Sequence, residues 1–571
     1  MKRWIPAILL LLAACAAPTS RPVLVCNGTI YLGAVGSAQH WPKVEALLLR
    51  DGRVSAAGSR AELEALAPEH EVLNLRGKTA IPGLQDAHGH FEALGAALES
   101  VDLRGCASFA ELVERVRVRA SQTAPGTWIE GRGWDQNLWN PAAFPHHATL
   151  SAATPSHPVV LQRVDGHALL ANESAMRAAG VAGVRSDESV GEGGRILLDA
   201  QGFPTGVFID AACELVQRAV PPPTRAQRRE RFLRAQSELL SLGLTAIHDM
   251  GIDREGFEIL RDLAARGELR IRAVEYLSGD AALSSERLAG LPTARDPDDL
   301  LSLVGVKLYA DGALGSRGAA LLEPYHDDPT HRGLTLLSEE ELARAIAVCA
   351  DHRLQPAVHA IGDRANRAVL DAYASRMRSD AGFRELRPRI EHAQVVAPED
   401  WPRFEELGVI ASMQPTHATS DMPWAPARLG EQRIAGAYAW RRLCPDPTRL
   451  AFGSDFPVES PDPRAGIYSA VTCADPDGRP SEGFRPDQRL TLPEALSTFT
   501  AGAAYAARQD DCRGRLLPGF AADITVLRRD PFEVPVALWR TEPVLATLVN
   551  GEVVYDSDGL VLERYAPRPS N

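Results

Sequence analysis

Short apolar runs with alternating polar positions occur at both ends of the chain. Near the start they include "VLVCNGTIYLG" and "EALLLRDGRVSAAG", and near the end "ADITVLRRDPF" and "VLATLVNGEVVYDSDG". Gly and Asp-Gly turns separate the runs, a pattern that is typical of antiparallel strands joined by tight turns. Because the two regions lie on either side of a long middle segment, they predict a small β-domain built from residues 23–78 and 513–565.

The middle segment, residues 79–512, alternates apolar strand candidates with amphipathic helices, which indicates a parallel sheet. The eight strand ends are "AIPGLQDAH", "GLTAIHDM", "LRIRAVEYL", "LVGVKLYADG", "QPAVHAIGD", "RIEHAQ", "VIASMQP" and "LAFGSDFPV". Eight such units predict an α/β fold, a (β/α)8 TIM-type barrel. One large insertion after the first strand, about residues 95–242, contains "TWIEGRGWDQNLW" and is predicted to form a lid or cap.

Polar residues end several of these apolar runs, at the face where such barrels build their active sites. They are His88, His90, Lys307, His359, His392 and Asp455. His88 and His90 are two residues apart in an extended strand, so both side chains can point to the same place. Neutral imidazole suits Zn, Fe, Co or Ni, and a carboxylate can complete such a site. A lone His-x-His pair is more often two surface histidines, and its coincidence with the other strand ends is what favours a metal site.

Lys307 is unusual because it lies within "LSLVGVKLYADG", where neighbours on both strand faces are apolar and an ammonium group is costly to bury. Three interpretations remain open. Desolvation could leave a neutral amine that forms a Schiff base, or that amine could react with CO2 to give a carbamate able to bridge two metals. Alternatively, Lys307 forms an ion pair with a buried acid such as Asp311.

Composition places the chain among ordinary globular proteins. It has 571 residues, 45% of them apolar and 24% charged, with a formal net charge of -13. Without any long Lys/Arg run, these values argue against nucleic-acid binding and a polybasic membrane surface, and favour a small-molecule ligand. The seven cysteines that follow Cys15 are scattered, so they predict neither a disulfide framework nor a thiolate zinc site, although one bridge is possible.

The first 14 residues combine a basic start, a short apolar run and small residues before Cys15, which predicts an export signal. "LAAC" resembles a bacterial lipobox, so residues 15–22 are predicted to be a lipidated cysteine and linker. An ordinary cleaved signal with a chance cysteine is the alternative. Ala16 favours an outer-membrane anchor facing the periplasm if the source is Gram-negative. No later stretch reaches about 18 consecutive apolar residues, the length of a membrane-spanning helix.

A set of motifs resembles the amidohydrolase superfamily. They are "PGLQDAHGH", "GVKLYADGALGSRGAAL", "VHAIGDRA", "RIEHAQ", "SMQP", "FGSDFPV", "LTLPEALSTFTAGAAYAA" and "GRLLPGFAADITVL". Within the superfamily, the chain is similar to the large-insertion branch that includes N-substituted formamide deformylase and related predicted metal-dependent hydrolases. The resemblance covers about Arg21 to Leu562.

The resemblance implies a metal-dependent hydrolase in which a barrel is joined to a β-sandwich made from both termini. His88 and His90 match ligands of the more buried metal, and His359 and His392 match the ligands on the fifth and sixth strands. Lys307 matches the lysine that is carboxylated in two-metal members, and Asp455 matches the aspartate that acts as ligand and proton shuttle. One or two divalent transition metal ions are therefore expected, with zinc the first expectation.

Other polar residues are candidates for contacts with substrate. Trp134 and His167, together with Asp135, Arg163 and Asp165, lie in the insertion and either line the substrate pocket or pack in a core. Arg317 follows the lysine strand and either binds a substrate carboxylate or carbonyl, or forms an exposed salt bridge. His248 and His417 also fall near strand ends, where we expect them to hydrogen-bond the metal ligands.

Together these features predict hydrolysis of a non-peptide C–N bond in a small amide, N-acyl or N-formyl compound by metal-activated water. Asp455 is the expected proton acceptor and donor. A lactonase or phosphotriesterase is the alternative within enzymes, and a non-catalytic, lipid-anchored binding protein is the alternative outside them. The expected partner is a small amide-type molecule, with no nucleic acid and with membrane contact only through the lipid anchor. Substrate identity and oligomeric state stay open.

Overall fold

The computed structural model describes residues 21–163, 168–184, 194–280, 282–291, 300–557 and 563–565. The described chain forms two compact units. The larger takes in the residues up to Phe91 and those from Gln236 onward, and the smaller is Glu92–Ala235. The predicted signal segment and Cys15 lie outside the described residues.

The larger unit contains a sheet of eight strands in which every neighbouring pair is parallel. In chain order, barrel strands one to eight are Leu84–Gly89, Leu244–Ile252, Arg272–Ser278, Leu301–Tyr309, Gln355–Ala360, Arg389–His392, Ile410–Met413 and Ala451–Phe452. Each predicted strand end contributes a strand to this sheet in the predicted order, which confirms the mixed α/β barrel.

Strands one and eight, at the two edges of this sheet, are brought together by backbone contacts. Gly89 forms a parallel bridge with Phe456, and the Asp455 amide donates to the carbonyl of His88 at 2.7 Å. A Cβ atom at Gly453 would lie 2.4 Å from the backbone nitrogen of His88, so only glycine permits this approach. The close approach places the ends of strands one and eight side by side.

Helices separate the barrel strands along the chain, and their sequences carry clear start signals. Glu339–Asp351 begins at a capping box in which Ser338 and Glu341 each accept the other's backbone N–H. The other helices of this unit are Arg60–Leu66, Arg254–Ala265, Ser285–Leu288, Asp363–Ser379, Trp401–Leu407, Pro415–Asp421, Ala425–Arg433, Trp440–Leu443, Pro463–Thr472, Leu492–Thr498, Ala501–Ala506 and Val536–Trp539. Helix Arg225–Ser241 contains the boundary between the units.

The two ends of the chain contribute to one connected sheet of nine strands. They are Val23–Tyr31, Lys43–Arg50, Arg53–Gly58, Glu71–Asn74, Thr79–Pro82, Ile524–Leu527, Val544–Val549, Glu552–Asp556 and Glu563–Tyr565. Its buried core includes Val25, Leu47, Ile524 and Leu548, which come from both termini.

The predicted first barrel strand is divided between two sheets. Thr79–Pro82 pairs antiparallel with Ile524–Leu527 in the nine-stranded sheet, and only Leu84–Gly89 enters the barrel. Gly83 lies between them, where an added Cβ would meet the Thr245 side chain at 2.3 Å. The expected barrel boundary at residue 79 therefore moves to Leu84. The apolar run is continuous because both of its strands are buried.

The smaller unit has its own six-stranded sheet, which agrees with the expectation that the insertion is too structured for a loop. Its strands are Val101–Asp102, Ile129–Trp134, Val159–Arg163, Ala168–Ala171, Gly194–Leu198 and Pro204–Asp210. Its helices are Phe109–Ser121, Ala148–Ala153, Glu173–Ala178 and Cys213–Gln217, and helix Phe91–Glu99 begins at the last residue of the larger unit and continues into this one. The unit spans 92–235 instead of the expected 95–242.

Two further expectations concern membrane-spanning helices and disulfides. No helix in the described residues is long and apolar enough to cross a membrane. None of the seven cysteines after Cys15, all of which the structure describes, forms a disulfide.

Candidate metal centre

The predicted site residues lie at the carboxyl ends of the barrel strands. His88 belongs to strand one and His90 follows it, Lys307 belongs to strand four, and His359 belongs to strand five. His392 is the last residue of strand six, and Asp455 follows strand eight. Because all neighbouring strands are parallel, these ends meet at one face of the barrel.

His88, His90 and Asp455 form the first group of possible metal ligands, with one ligand atom of each within 4.8 Å of the others. Asp455 Oδ1 lies 3.0 Å from His90 Nε2 and 3.4 Å from His88 Nε2. His88 is fully buried, whereas the His90 side chain is 30% exposed. Both rings therefore lie beside the same carboxylate, and their role as metal ligands stays a prediction.

His392, His417 and the same Asp455 form a second group within the same distance. His417 Nε2 lies 3.7 Å from Asp455 Oδ2. His417 was expected only to hydrogen-bond metal ligands, but its position makes it a candidate ligand itself. It lies in helix Pro415–Asp421, directly after strand seven, and its closeness to that strand end was the available signal.

His392 and Asp455 share an unusual backbone conformation, with φ of 72° and 60°. Residues with side chains rarely adopt positive φ, and when they do the position is often part of a functional site. The reversal redirects each side chain at the point where its strand ends, so strand alternation alone does not predict where these two side chains point.

His359 lies beside the second group without belonging to it. Its ring centroid is 4.6 Å from that of His392, and its Nε2 atom is buried with no hydrogen-bond partner in the described residues. Burial, followed by the charge of Lys307, lowers the pKa of His359 to about 3. The ring is therefore neutral at pH 7, and its Nε2 atom lies 3.6 Å from Asp311 Oδ1, beyond hydrogen-bond distance.

Lys307 is 1% exposed, and its Nζ lies 3.3 Å from His88 Nε2. Burial lowers the pKa of Lys307 to about 8. The alternative of an ion pair with Asp311 is wrong. Asp311 accepts backbone N–H groups from Ile361, Gly362 and Ala320 instead.

Two buried side chains that the sequence analysis did not single out hold the imidazoles in place. Glu391 Oε2 lies 2.6 Å from His88 Nδ1, and Gln414 Oε1 lies 2.7 Å from His392 Nδ1. Burial opposes the charge of Glu391, but Arg389 and His88 hold its pKa well below the usual range. In both cases the Nδ1 atom is engaged, which leaves Nε2 for another partner.

The described residues that were predicted to contact substrate have local partners. Trp134 is fully buried in the core of the smaller unit, and its indole N–H donates to the Leu161 carbonyl at 2.7 Å. Arg317 pairs with Asp327 at 3.0 Å. Trp134 thus has the core packing, and Arg317 the salt bridge, that the sequence analysis gave as alternatives to substrate contact. His167 and Asp165 lie outside the described residues, and Asp135 pairs with Arg163 at 2.9 Å.

The donor set fits a divalent transition metal. Burial lowers the pKa of His88 to about 4, so His88 and His359 are neutral at pH 7. Burial opposes ionisation of Asp455, but His88 and His90 hold its pKa well below the usual range. Neutral imidazole and ionised carboxylate are the forms that bind such metals. Within the described part of the chain, the buried Nε2 atom of His417 lacks a hydrogen-bond partner, and a metal beside Asp455 would satisfy it.

A model of the amidohydrolase family matches residues 71–555, which include the whole barrel and this cluster. The chain belongs to this family. A curated relative, Protein LONG AFTER FAR-RED 3 of Arabidopsis thaliana, is 34% identical over 93% of the chain and 91% of its own length. N-substituted formamide deformylase of Arthrobacter pascens is 28% identical over 90% of the chain and 95% of its own length.

A solved structure shows the same fold. An uncharacterized metal-dependent hydrolase from Pyrococcus horikoshii superposes with a TM-score of 0.75 at 30% identity. The match covers 90% of this chain and 99% of that protein. Together with the family, this similarity confirms the resemblance seen in the motifs and supports a hydrolase with a metal site.

Proposed function

We propose that the protein is a metal-dependent hydrolase that cleaves a non-peptide C–N bond in a small amide, N-acyl or N-formyl compound. One observation carries the proposal. Asp455 lies within reach of both His88 and His90 on one side and His417 on the other, in a chain of the amidohydrolase family. Similarity to N-substituted formamide deformylase over 90% of the chain directs attention to formamides first.

Two groups of side chains would hold the metal, with Asp455 common to both. His88 and His90 would provide the imidazoles of one position, and His392 and His417, with His359 beside them, those of a second. A divalent metal such as zinc polarises a carbonyl and makes water acidic enough to attack at neutral pH. Lys307, carboxylated by CO2, would add an anionic group between the two positions.

Asp455 is positioned to handle the proton of the reaction. Its carboxylate is ionised, so it can accept the proton that water releases as the oxygen bonds to the carbonyl carbon. Asp455 then gives that proton to the leaving nitrogen as the C–N bond breaks. The products are a carboxylic acid, formic acid for a formamide, and an amine, and the aspartate returns to its starting form.

The test is a substrate screen on protein reconstituted with zinc and on the same protein after chelation. We expect tightly bound metal and hydrolysis of an N-formyl or N-acyl compound that chelation abolishes and zinc restores. If the protein hydrolyses only lactones or phosphotriesters, the bond it cleaves is an ester bond and not the proposed C–N bond. A protein that binds no transition metal and hydrolyses none of these compounds would be a binding protein.

We also propose that the protein is exported and anchored through lipid on Cys15, on the strength of "LAAC" behind the basic, apolar leader. Mass spectrometry of the mature N-terminus should find a lipidated Cys15, and an intact Met1 would reject the idea.

A cap role for the insertion rests on its place in the chain directly after His90. Hydrogen exchange should then show protection within residues 92–235 when a substrate analogue binds.

A further inference from the structure

Glu391 is a buried charged group of the barrel interior that the proposed reaction leaves unused. It is fully buried in strand six, one residue before His392. Its Oε2 lies 2.6 Å from Nδ1 of His88, on strand one. Both oxygens of Glu391 also accept N–H groups from Arg389, so Oε2 is an acceptor and Nδ1 of His88 carries the proton. Nε2 of His88 is then the nitrogen with a lone pair, and it lies 3.4 Å from Asp455 Oδ1.

Arg389 fixes the carboxylate from the other side. It is also fully buried, and its Nε and Nη2 atoms donate to the two oxygens of Glu391 at 2.8 and 3.0 Å. On other strands, Nη1 lies within hydrogen-bond distance of His248 Nδ1 and Tyr276 Oη, and Nη2 also lies within that distance of the Ala87 carbonyl and Ser412 Oγ. With so many fixed partners, the Arg389–Glu391 pair has one arrangement, and Glu391 presents one oxygen to His88.

The ring of His392 has a different hydrogen-bond partner at Nδ1. Its Nδ1 lies 2.7 Å from the side-chain amide oxygen of Gln414, which is neutral. A charged acceptor makes an imidazole a stronger electron donor than a neutral one does. The two candidate metal positions therefore differ in the support of their buried histidines, with a carboxylate behind His88 and an amide behind His392.

We propose that Glu391, held by Arg389, is a positioning residue that fixes the tautomer and orientation of His88 and strengthens it as a metal ligand. The inference rests on the proposed function because it needs a metal beside His88. It adds two residues, Arg389 and Glu391, that do not touch the reacting atoms but set the affinity of the position at which His88 and His90 meet Asp455.

The experiment measures the zinc dissociation constant by competition with a chelator, on purified full-length variants. Glu391→Gln keeps the shape but removes the charge, and we expect zinc affinity at the position beside His88 to fall by roughly 10- to 100-fold, the usual effect of losing such a support. Glu275→Gln is the matched control. Glu275 is an equally buried glutamate on strand three, away from the described contacts of His88, and burial and then the nearby Asp249 raise the pKa of its carboxyl well above normal.

Arg389→Lys provides a second variant in case Glu391→Gln, which leaves a buried guanidinium without its counter-charge, does not fold. Lysine keeps the charge but cannot hold both carboxylate oxygens, so zinc affinity should fall in the same direction by a smaller factor. Thermal unfolding of the metal-free proteins is measured in parallel. A structural role alone would lower the unfolding temperature and leave the zinc affinity of the folded variant unchanged.

The outcomes are separable. Wild-type zinc affinity in folded Glu391→Gln, or in Arg389→Lys if only that variant folds, would overturn the positioning role and leave the proposed function intact. An equal loss of affinity in Glu275→Gln would overturn it too, because the effect would then follow any change to a buried glutamate. A wild-type protein that binds no zinc would instead overturn the proposed function.

Discussion

The barrel and the insertion both contain residues that the sequence predicts to be functional. In the structure, the surroundings of these residues differ between the two regions. At the barrel strand ends, His88 and His90 lie against Asp455, which comes from the far end of the sheet. In the insertion, Trp134 packs beside Trp139 with ring centroids 6.0 Å apart and no exposed surface. The polar residues at the barrel strand ends therefore lie together, whereas Trp134 lies in the hydrophobic core of the insertion.

The difference follows from topology. In a parallel sheet that forms a barrel, the carboxyl ends of all strands meet at one face, so a polar residue after an apolar run has a predictable location. The insertion sheet mixes parallel and antiparallel pairs, and no rule collects its strand ends. In the insertion, a large aromatic side chain is most stable in the hydrophobic core, because burial removes its apolar surface from water. Substitutions in both regions test this contrast.

The largest effect is expected for Lys307→Ala. If carboxylated Lys307 bridges two metals, the variant should lose one metal and nearly all activity, as measured by elemental analysis and kcat. Acetate or propionate added to the variant should restore part of both, because a short carboxylate can take the bridging place. Borohydride with a carbonyl substrate should leave no adduct on wild type.

Two results would redirect the interpretation of Lys307. A stable reduced adduct at this residue would establish a Schiff base. Full metal content and activity in Lys307→Ala would show that the amine serves only the packing of strand four.

Asp455→Asn should lower kcat by roughly 100-fold or more, the scale of losing a general base. The amide keeps the shape of the side chain but cannot accept the proton from water. Steady-state kinetics on the substrate found in the screen would measure the change. Asp102→Asn, at a largely exposed aspartate of the insertion, serves as control and should match wild type. Near-normal turnover in Asp455→Asn would remove this residue from the mechanism.

Trp134→Ala should act on stability and leave the KM of the folded protein near normal. Loss of a buried tryptophan costs about 3–5 kcal/mol, and the Leu161 carbonyl also loses its donor. Denaturant unfolding followed by circular dichroism gives the free energy of unfolding. Phe109→Ala, at a partly buried aromatic residue of the same core, is the comparison and should cost less. A large rise in KM with unchanged stability would return Trp134 to the substrate pocket.

The smallest effect is expected for Arg317→Ala. Its partner Asp327 also receives Arg428, so the acid keeps a counter-charge when Arg317 is removed. The pair is partly exposed and such pairs contribute little to stability. Thermal unfolding and KM should both match wild type. A KM increase for carboxylate-bearing substrates alone would restore the predicted binding role.

The sequence by itself determined the sheet, the order of its strands and most of the cluster. Eight apolar runs separated by helices leave few alternatives to a barrel, and a polar residue that ends such a run lies at the active face. The same pattern did not reveal that Thr79–Pro82 leaves the barrel for the terminal sheet, because burial makes both halves of the run apolar.

Only the tertiary structure decided which side chains support the cluster and where its last ligands point. Glu391 and His88 are 303 residues apart, so their contact exists only once the barrel brings strands one and six face to face. His392 and Asp455 turn at positive φ, which strand alternation does not anticipate. Periodicity records which residues are buried, whereas the partners of a buried charge depend on packing between distant segments, and that is the physical reason these contacts were not predicted.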